Sequence, residues 1–163
     1  MATVICITNQ KGGVGKTTTA VNLAFFLAKS KKKTLLIDFD PQGNATSGLG
    51  IDKMPFEADY EKEGTSSTMS EVLLGQKELE EIILNTKFKD LDLAPVTPQL
   101  ANAEVNLAKL DKKFVQLREA IKRVKKLYDY IIIDSPPSLS LLTVNGMIAS
   151  DYLLLPVQTE FYA

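Results

Sequence analysis

The sequence predicts an α/β fold in which a doubly wound, mainly parallel β-sheet carries helices on both faces. Short apolar runs alternate along the chain with segments of helical periodicity, which is the order expected of strand–helix–strand units. The runs are apolar throughout, as expected for parallel strands that are covered on both faces. The length of 163 residues and the apolar content of 45% suit one globular domain with a substantial core.

Five strands are predicted from the apolar runs at residues 4–8, 34–39, 91–96, 130–134 and 152–157. The first run contains β-branched residues and Cys6, the single cysteine, which we expect to be a small buried core residue. Because one cysteine cannot form a disulfide within the chain, the composition suits a reducing cytoplasm.

Two long helices are predicted from apolar residues at three- and four-residue spacing. One covers residues 16–30, and the other covers residues 111–127. The apolar stripe of the first helix consists of Ala20, Leu23, Ala24 and Leu27, widened by Phe26. A stripe of this kind is typical of a helix that packs on a sheet.

Shorter helices are predicted at residues 68–75, 78–84, 98–108 and 141–149. The first of these begins with a capping-box pattern formed by Thr68 and Glu71. The helix at 98–108 begins with Thr97 as its predicted N-cap, followed by a first-turn proline. Residues 50–67 are acidic and polar, and we expect them to form a long surface excursion.

The composition excludes several classes of function. The chain has no histidine, which rules out histidine-based acid–base catalysis and, with one cysteine, the usual zinc sites. No apolar run approaches the ~18 residues needed to span a membrane. The net charge of −1 gives no overall attraction to nucleic acid or to a membrane surface.

The charges are nevertheless distributed unevenly. Residues 52–92 hold eleven acidic and five basic side chains, whereas residues 109–126 hold eight basic and two acidic ones. The basic side chains of the predicted helix are Lys112, Lys113, Arg118, Lys122, Arg123, Lys125 and Lys126. Two interpretations stay open for them, a solvated helix face or a contact with the DNA backbone. The lysines from Lys29 to Lys33 suit a solvated helix end.

The most informative stretch is residues 5–20, ICITNQKGGVGKTTTA, where a strand leads through a glycine-rich loop into a helix. This order is typical of a loop that binds phosphate groups. The loop glycines, which let backbone N–H groups approach phosphate oxygens, are Gly12, Gly13 and Gly15. The helix adds its free N–H groups and its dipole, Lys16 suits the β- and γ-phosphates, and the Thr17 hydroxyl suits Mg²⁺. The alternative is a glycine-rich turn with an exposed lysine.

One position departs from the common phosphate-loop pattern, which requires glycine five residues before Gly15, where this chain has Gln10. The loop instead carries a second lysine, Lys11, and it resembles the deviant Walker A loop of the ParA/MinD family of ATPases. The resemblance implies that ATP is bound by Gly12, Gly13, Val14, Gly15, Lys16, Thr17 and Thr18. It also implies that Lys11 acts with Lys16 in catalysis by crossing to the nucleotide of a facing subunit.

Two further segments resemble the same family. Residues 35–44, LLIDFDPQGN, are similar to its first switch, which implies that Asp40 orients the attacking water and Asp38 supports the Mg²⁺ shell. Residues 129–151, DYIIIDSPPSLSLLTVNGMIASD, are similar to its Walker B motif and second switch, which implies that Asp134 helps to hold Mg²⁺. The alternative for these acids at strand ends is that they cap local turns.

The resemblance extends over nearly the whole chain and implies a ParA/Soj-type partitioning ATPase, with residues 1–163 as one P-loop ATPase domain. It implies ATP and Mg²⁺ as cofactors, an ATP-dependent homodimer, binding to non-specific DNA, and stimulation by a ParB/Spo0J-like protein. The expected location is the cytoplasm, in association with the nucleoid and not with a membrane. Family members continue for several more helices and strands, so we expect a C-terminally shortened chain.

Other hypotheses stay open on the sequence. A nucleotide-binding module without turnover is one, because the further segment of the family supplies much of its nucleobase pocket and dimer surface. A MinD-like switch would need an amphipathic C-terminal helix, which does not follow the last predicted strand. A small-molecule kinase or amide ligase would need an acceptor site, for which the sequence shows no dedicated residues.

Overall fold

A six-stranded sheet forms the centre of the molecule in the computed structural model, which describes residues 1–159. Its strands are β1 (Thr3–Ile7), β2 (Thr34–Asp38), β3 (Leu84–Asn85), β4 (Leu91–Ala94), β5 (Tyr130–Asp134) and β6 (Tyr152–Leu154). They lie in the order β3-β4-β2-β5-β1-β6, and every neighbouring pair is parallel except β3 with β4. The predicted doubly wound, mainly parallel fold is therefore confirmed.

Helices cover both faces of this sheet. They are α1 (Lys16–Lys29), α2 (Asn44–Gly48), α3 (Met54–Glu63), α4 (Met69–Leu73), α5 (Leu79–Ile82), α6 (Leu100–Leu107), α7 (Gln116–Val124) and α8 (Leu141–Ala149). One core contains buried residues of α1 and α2, and the other contains buried residues of α4 to α8. Within residues 1–159, no helix is both long enough and apolar enough to cross a membrane.

The central strands contribute alternate side chains to the two cores. Leu35 and Ile37 lie in the core with α4 to α8, whereas Leu36 between them lies in the core with α1. Successive side chains on a strand point to opposite faces, so a strand covered on both faces needs apolar residues along its middle, and the buried polar residues Thr34, Asp38 and Asp134 lie only at strand ends. This requirement explains why the strongest apolar runs of the sequence became the central strands.

Helix α1 packs on the sheet through small residues. Its buried apolar side chains are Ala20, Ala24 and Ala28. Leu23 and Leu27 are half-buried, and Phe26 is 57% exposed, so the predicted widening of the stripe by Phe26 is wrong. The neighbouring Phe25 instead packs edge-on against Phe88, with 5.1 Å between the ring centroids. Alanine at every fourth residue lets the helix approach the strands closely.

The segment at residues 50–67 lies largely at the surface, as predicted, but most of it forms the helix α3 rather than an irregular excursion. Pro55 lies in the first turn of this helix, and Gly64 follows its last residue with a φ of 72°. Proline at a helix start and left-handed glycine after a helix end are both ordinary helix boundaries. The sequence shows no continuous stripe of apolar residues at helical spacing in this segment, because α3 buries none of its residues.

Other predicted boundaries need smaller corrections. The helix expected at 98–108 begins at Leu100 rather than after Thr97, and the helix expected at 111–127 is limited to α7. The segment 78–84 is divided between α5 and the antiparallel strand β3. The capping box of Thr68 and Glu71 at the start of α4 is confirmed.

The close packing of α1 gives a stability prediction. Ala24 is fully buried between the helix and the sheet, so Ala24→Leu should overpack this layer and lower the free energy of unfolding by about 1–3 kcal/mol. Phe26→Leu on the exposed side of the same helix should have little effect. Urea unfolding of both variants measures the difference, and equal stability of the two would contradict the packing described.

Candidate functional site

The loop between β1 and α1 forms an open cradle of backbone. Gly13 and Gly15 have φ angles of 75° and 87°, in the left-handed region that glycine adopts without strain. A Cβ atom added at Gly12, Gly13 or Gly15 would meet no atom within 4 Å, so all three glycines border open space. Gly15 is also the N-cap of α1, and because glycine has no side chain, it cannot cap the first N–H groups of this helix. These N–H groups are therefore left without a side-chain cap next to the open space, as an anion site requires.

Lys16 lies in this cradle as a buried ammonium, 7% exposed. Its Nζ atom donates a hydrogen bond of 2.9 Å to the carbonyl oxygen of Lys11 in the same loop. Among residues 1–159, no carboxylate lies within ion-pair distance of this ammonium. A buried cation bonded to a neutral carbonyl retains most of its attraction for an anion.

A cavity of about 260 Å³ joins the loop to residues that follow two other strands. Its lining residues are Gly12, Gly13, Gly15, Lys16, Thr17, Thr18, Asp40, Gln42, Asn44 and Pro137. They come together because the carboxyl ends of the parallel strands β1, β2 and β5 meet at one edge of the sheet. Gln42, Asn44 and Pro137 were not among the predicted site residues, although they lie in the two switch-like segments.

Asp40 is the predicted acid that lines this cavity. It is buried, and its Oδ1 atom accepts a hydrogen bond of 3.0 Å from the backbone N–H of Gln42. This bond fixes the carboxylate at the start of the turn after β2. The turn-capping alternative accounts for only one of its oxygens, and the predicted role in orienting water stays a prediction.

Asp38 is placed differently from Asp40, since its carboxylate accepts hydrogen bonds from another element of the protein. The Oδ2 atom accepts hydrogen bonds of 2.7 Å from both the backbone N–H and the hydroxyl of Thr46 in α2. Burial raises the pKa of Asp38 to about 6, and the bonds from Thr46 oppose that rise. Asp38 thus fastens α2 to the end of β2, and its predicted support of the Mg²⁺ shell stays a prediction.

Asp134 is fully buried at the end of β5, in register with Asp38 on β2 and Ile7 on β1. Neither carboxylate oxygen has a hydrogen-bond partner of good geometry among the described residues. Burial raises the pKa of Asp134 to about 7, and the nearby Thr17 hydroxyl lowers it in part. A buried acid without a well-aligned donor is costly, so a cation such as Mg²⁺ fits this position.

The remaining predicted residues lie on the loop but do not line the cavity. Val14 is buried, so its part in binding would be limited to its backbone. Lys11 is half-buried, and its backbone N–H donates to the side-chain oxygen of Asn9 at 2.9 Å. The amide of Asn9 in turn donates to the carbonyl of Pro156 at 2.8 Å, and Gln158 donates to Gly13 at 3.3 Å. The segment after β6 therefore supports the loop, which no local pattern had indicated.

This architecture is that of a P-loop nucleotide-binding domain. The chain belongs to the AAA domain family, because the profile of that family matches residues 2–163. It is similar to the chromosome partitioning protein ParA of Myxococcus xanthus, with 48% identity over 98% of this chain and 53% of the relative. It is also similar to the sporulation initiation inhibitor protein Soj of Bacillus subtilis, with 51% identity over all of this chain and 61% of the relative.

Solved structures agree with this assignment. Cobyrinic acid a,c-diamide synthase from Mycobacterium smegmatis, with an ATP analogue and magnesium bound, superposes with a TM-score of 0.90 at 34% identity. A plasmid partition protein from Borrelia burgdorferi, bound to AMPPNP, superposes with a TM-score of 0.83 at 33% identity. This chain is covered completely in both comparisons and covers 63% and 64% of those chains. It thus spans between half and two thirds of the length of these relatives.

The raised pKa of Asp134 gives a prediction about pH. Its carboxyl has a pKa of about 7 in the folded protein against an ordinary value of 3.8, so the folded state holds this proton more tightly. Raising the pH from about 4 to about 7 should therefore destabilise the nucleotide-free protein. Asp134→Asn should remove this dependence and gain on the order of 2 kcal/mol at pH 8.

Thermal unfolding between pH 5 and pH 8 measures this effect. The difference in Tm between Asp134→Asn and the wild type should grow with pH up to about 7 and then level off. Asp59→Asn on the exposed face of α3 is the control and should show no such trend. A constant difference across the range would mean that Asp134 is not a buried, unpaired acid.

Proposed function

We propose that residues 1–163 form one Mg²⁺-dependent ATPase domain that acts as a switch in DNA segregation, of a chromosome or a plasmid. The observation that carries the proposal is a pair of buried opposite charges at one edge of the sheet. Within residues 1–159, the Lys16 ammonium forms no ion pair, and neither oxygen of Asp134 has a hydrogen-bond partner of good geometry. A phosphate group on the cradle would satisfy the first, and a divalent cation would satisfy the second.

The comparisons support the choice of ligand. The synthase from M. smegmatis was crystallised with an ATP analogue and magnesium, and the Borrelia partition protein with AMPPNP. The left-handed glycines that border the cradle of this chain fit close approach of phosphate oxygens to the backbone. ATP and Mg²⁺ are therefore the cofactors that we propose for this site.

Each residue has a defined part in the proposed reaction, which is phosphoryl transfer to water. The cradle N–H groups and Lys16 would hold the β- and γ-phosphates, while Thr17 and Asp134 would hold Mg²⁺. The ion supplies charge neutralisation at the phosphates. Asp40 would accept a hydrogen bond from the attacking water and orient it. Asp38 would keep the turn that carries Asp40 in place through its two bonds to Thr46.

The switch itself requires a second copy of the chain. We propose that ATP drives a face-to-face homodimer in which Lys11 reaches the nucleotide of the partner subunit. The dimer would bind DNA without sequence preference, in the cytoplasm and on the nucleoid. A ParB/Spo0J-like protein would stimulate hydrolysis and reset the dimer. Support comes from the relatives, since ParA of M. xanthus is a chromosome partitioning protein.

The basic side chains at and around α7 leave a DNA contact at that helix open. Three of the seven form ion pairs, namely Lys122 with Glu119, Arg123 with Glu78, and Lys125 with Asp151. The other four, which are Lys112, Lys113, Arg118 and Lys126, form no ion pair within residues 1–159. A solvated surface and a contact with the DNA backbone therefore both stay open for this face.

An amide ligase is the second candidate, because the M. smegmatis synthase superposes with a TM-score of 0.90. Such an enzyme uses ATP to modify an acceptor molecule. The ATPase and the ligase differ in one measurable respect, which is whether phosphate is released at the full rate when ATP and Mg²⁺ are the only substrates. Hydrolysis without any acceptor favours the ATPase.

The role of Asp40 gives a kinetic prediction. Asp40→Ala should bind ATP with nearly wild-type affinity, because the carboxylate is bonded to Gln42 and not to the cradle. Hydrolysis should fall about 100-fold or more, which is a typical contribution of a positioned base. Phosphate release and ATP binding are measured on the same preparation. Equal losses of binding and turnover would make Asp40 a structural residue.

The role of Lys11 gives a prediction about association. Lys11→Ala should keep ATP binding by the monomer and reduce hydrolysis by about tenfold or more, since even half of a ~4 kcal/mol charge interaction exceeds a factor of ten. Wild-type hydrolysis per molecule should rise with protein concentration, because a partner completes the site. Gly12→Val should bind ATP but stay monomeric.

Gln10→Ala is a suitable control for Lys11→Ala, since Gln10 is exposed in the same loop and carries no charge. Its hydrolysis should resemble that of the wild type. Activity per molecule that is independent of concentration, together with normal hydrolysis by Lys11→Ala, would exclude the shared site. A protein that binds ATP but never hydrolyses it would be a binding module.

A further inference from the structure

A second cavity, of about 680 Å³, lies at the opposite end of the sheet from the nucleotide site. It is formed by the end of α1, the turn that leads into β2, and the turn between β3 and β4. Because β2 and β4 are parallel, these turns meet at the amino edge of the sheet, whereas the phosphate loop lies at the carboxyl edge. The two cavities share no residue.

Positive charge dominates the lining of this cavity. Its basic residues are Lys29, Lys31, Lys87 and Lys89, and its one acidic residue is Asp90. None of these four lysines forms an ion pair within the part of the chain that the structure describes. They differ in this respect from Lys122, Arg123 and Lys125, which are paired. The cavity therefore gathers four unpaired cations on one concave surface, although the net charge of the chain is −1.

Two aromatic rings lie among these lysines. Phe25 from α1 and Phe88 from the β3–β4 turn are half-buried in the wall, edge to face at 5.1 Å. The Nζ atom of Lys87 lies 5.2 Å from the centre of the Phe88 ring. Rings interleaved with cations are typical of surfaces that bind single-stranded nucleic acid, where bases contact the rings and phosphates contact the cations.

The backbone at the rim is also unusual. Lys31 and Asp90 have φ angles of 61° and 64°, and they are the two residues other than glycine with positive φ in the described structure. Lys31 follows α1 at a position where glycine is the favoured residue. The left-handed backbone of Lys31 places a lysine side chain at the edge of the cavity. Asp90, on the opposite rim, has the same strained backbone geometry.

We propose that this cavity binds a nucleotide unit of single-stranded nucleic acid, with the base against Phe25 and Phe88 and the flanking phosphates on the four lysines. A duplex would present only phosphates to this concave surface, because its bases are stacked inside. Binding here is separate from the proposed ATP site, so it requires neither ATP nor Mg²⁺ nor Lys16.

Fluorescence anisotropy with a labelled 20-residue oligonucleotide of mixed sequence tests the proposal. The wild type should bind the single strand at least about tenfold more tightly than the same sequence as a duplex, and affinity should fall as salt increases. All titrations are made without ATP, so that the proposed ATP-dependent dimer does not contribute, and binding should then be unchanged in Lys16→Ala. Loss of binding in Lys16→Ala would assign the interaction to the nucleotide site and overturn the proposal.

Two pairs of substitutions with equal charge change locate the surface. Lys87→Gln with Lys89→Gln should weaken binding about tenfold and reduce the slope of log affinity against log salt by about 1.4, for two lost phosphate contacts. Lys112→Gln with Lys126→Gln, two exposed cations near α7, should change affinity less than twofold. Equal losses in the two pairs would mean general attraction to a polyanion and would contradict a specific cavity.

The aromatic part is tested by Phe88→Leu, which retains an apolar side chain in the wall. This variant should bind the single strand several-fold more weakly, while the slope of log affinity against log salt stays unchanged. The Tm of the variant shows whether the fold is retained. Competition by free AMP at concentrations similar to those of oligonucleotide phosphate would show that the ligand is a free nucleotide rather than a strand. Binding to phosphatidylserine vesicles in place of the oligonucleotide would show a lipid surface; either result overturns the proposal.

Discussion

The buried ammonium of Lys16 and the buried carboxylate of Asp134 impose the strongest constraint on this structure. Each lies where the carboxyl ends of the parallel strands meet, and neither forms an ion pair with any residue that the structure describes. A folded chain retains such groups at a cost in stability. The cost is understandable if the two groups face a ligand that carries both signs of charge, which is the property of a nucleotide with its metal ion.

Much of the rest of the fold serves to hold these groups in position. The register of β5 between β1 and β2 fixes Asp134, and the alanines of α1 bring the helix close enough to the sheet to place Lys16. Thr46 fastens the turn after β2 to Asp38, and residues Asn9 and Gln158 tie the loop to the segment after β6. The cradle is therefore preorganised by contacts between residues far apart in the chain.

The central strands and the phosphate loop could be predicted because their signals are local. A central strand covered on both faces needs a continuous apolar run, and a tight loop around an anion needs glycine. The sequence could not show that Asp38 accepts hydrogen bonds from Thr46, or that Arg123 of α7 is paired with Glu78, since both contacts join separate elements. Helix α3 was missed for a different reason, because it buries no side chain and leaves no periodic pattern.

Binding of a nucleotide at Lys16 is the central interaction of this site, and isothermal titration with ATP measures it. Wild-type protein should bind ATP tightly with Mg²⁺ and much more weakly with EDTA, because Asp134 needs the cation. Lys16→Ala should lose affinity by roughly 30-fold or more, given the ~4 kcal/mol of a close charge pair before desolvation. Lys62→Ala, on the exposed surface of α3, should bind like the wild type. Binding that is equal with and without Mg²⁺, or unchanged in Lys16→Ala, would contradict the account.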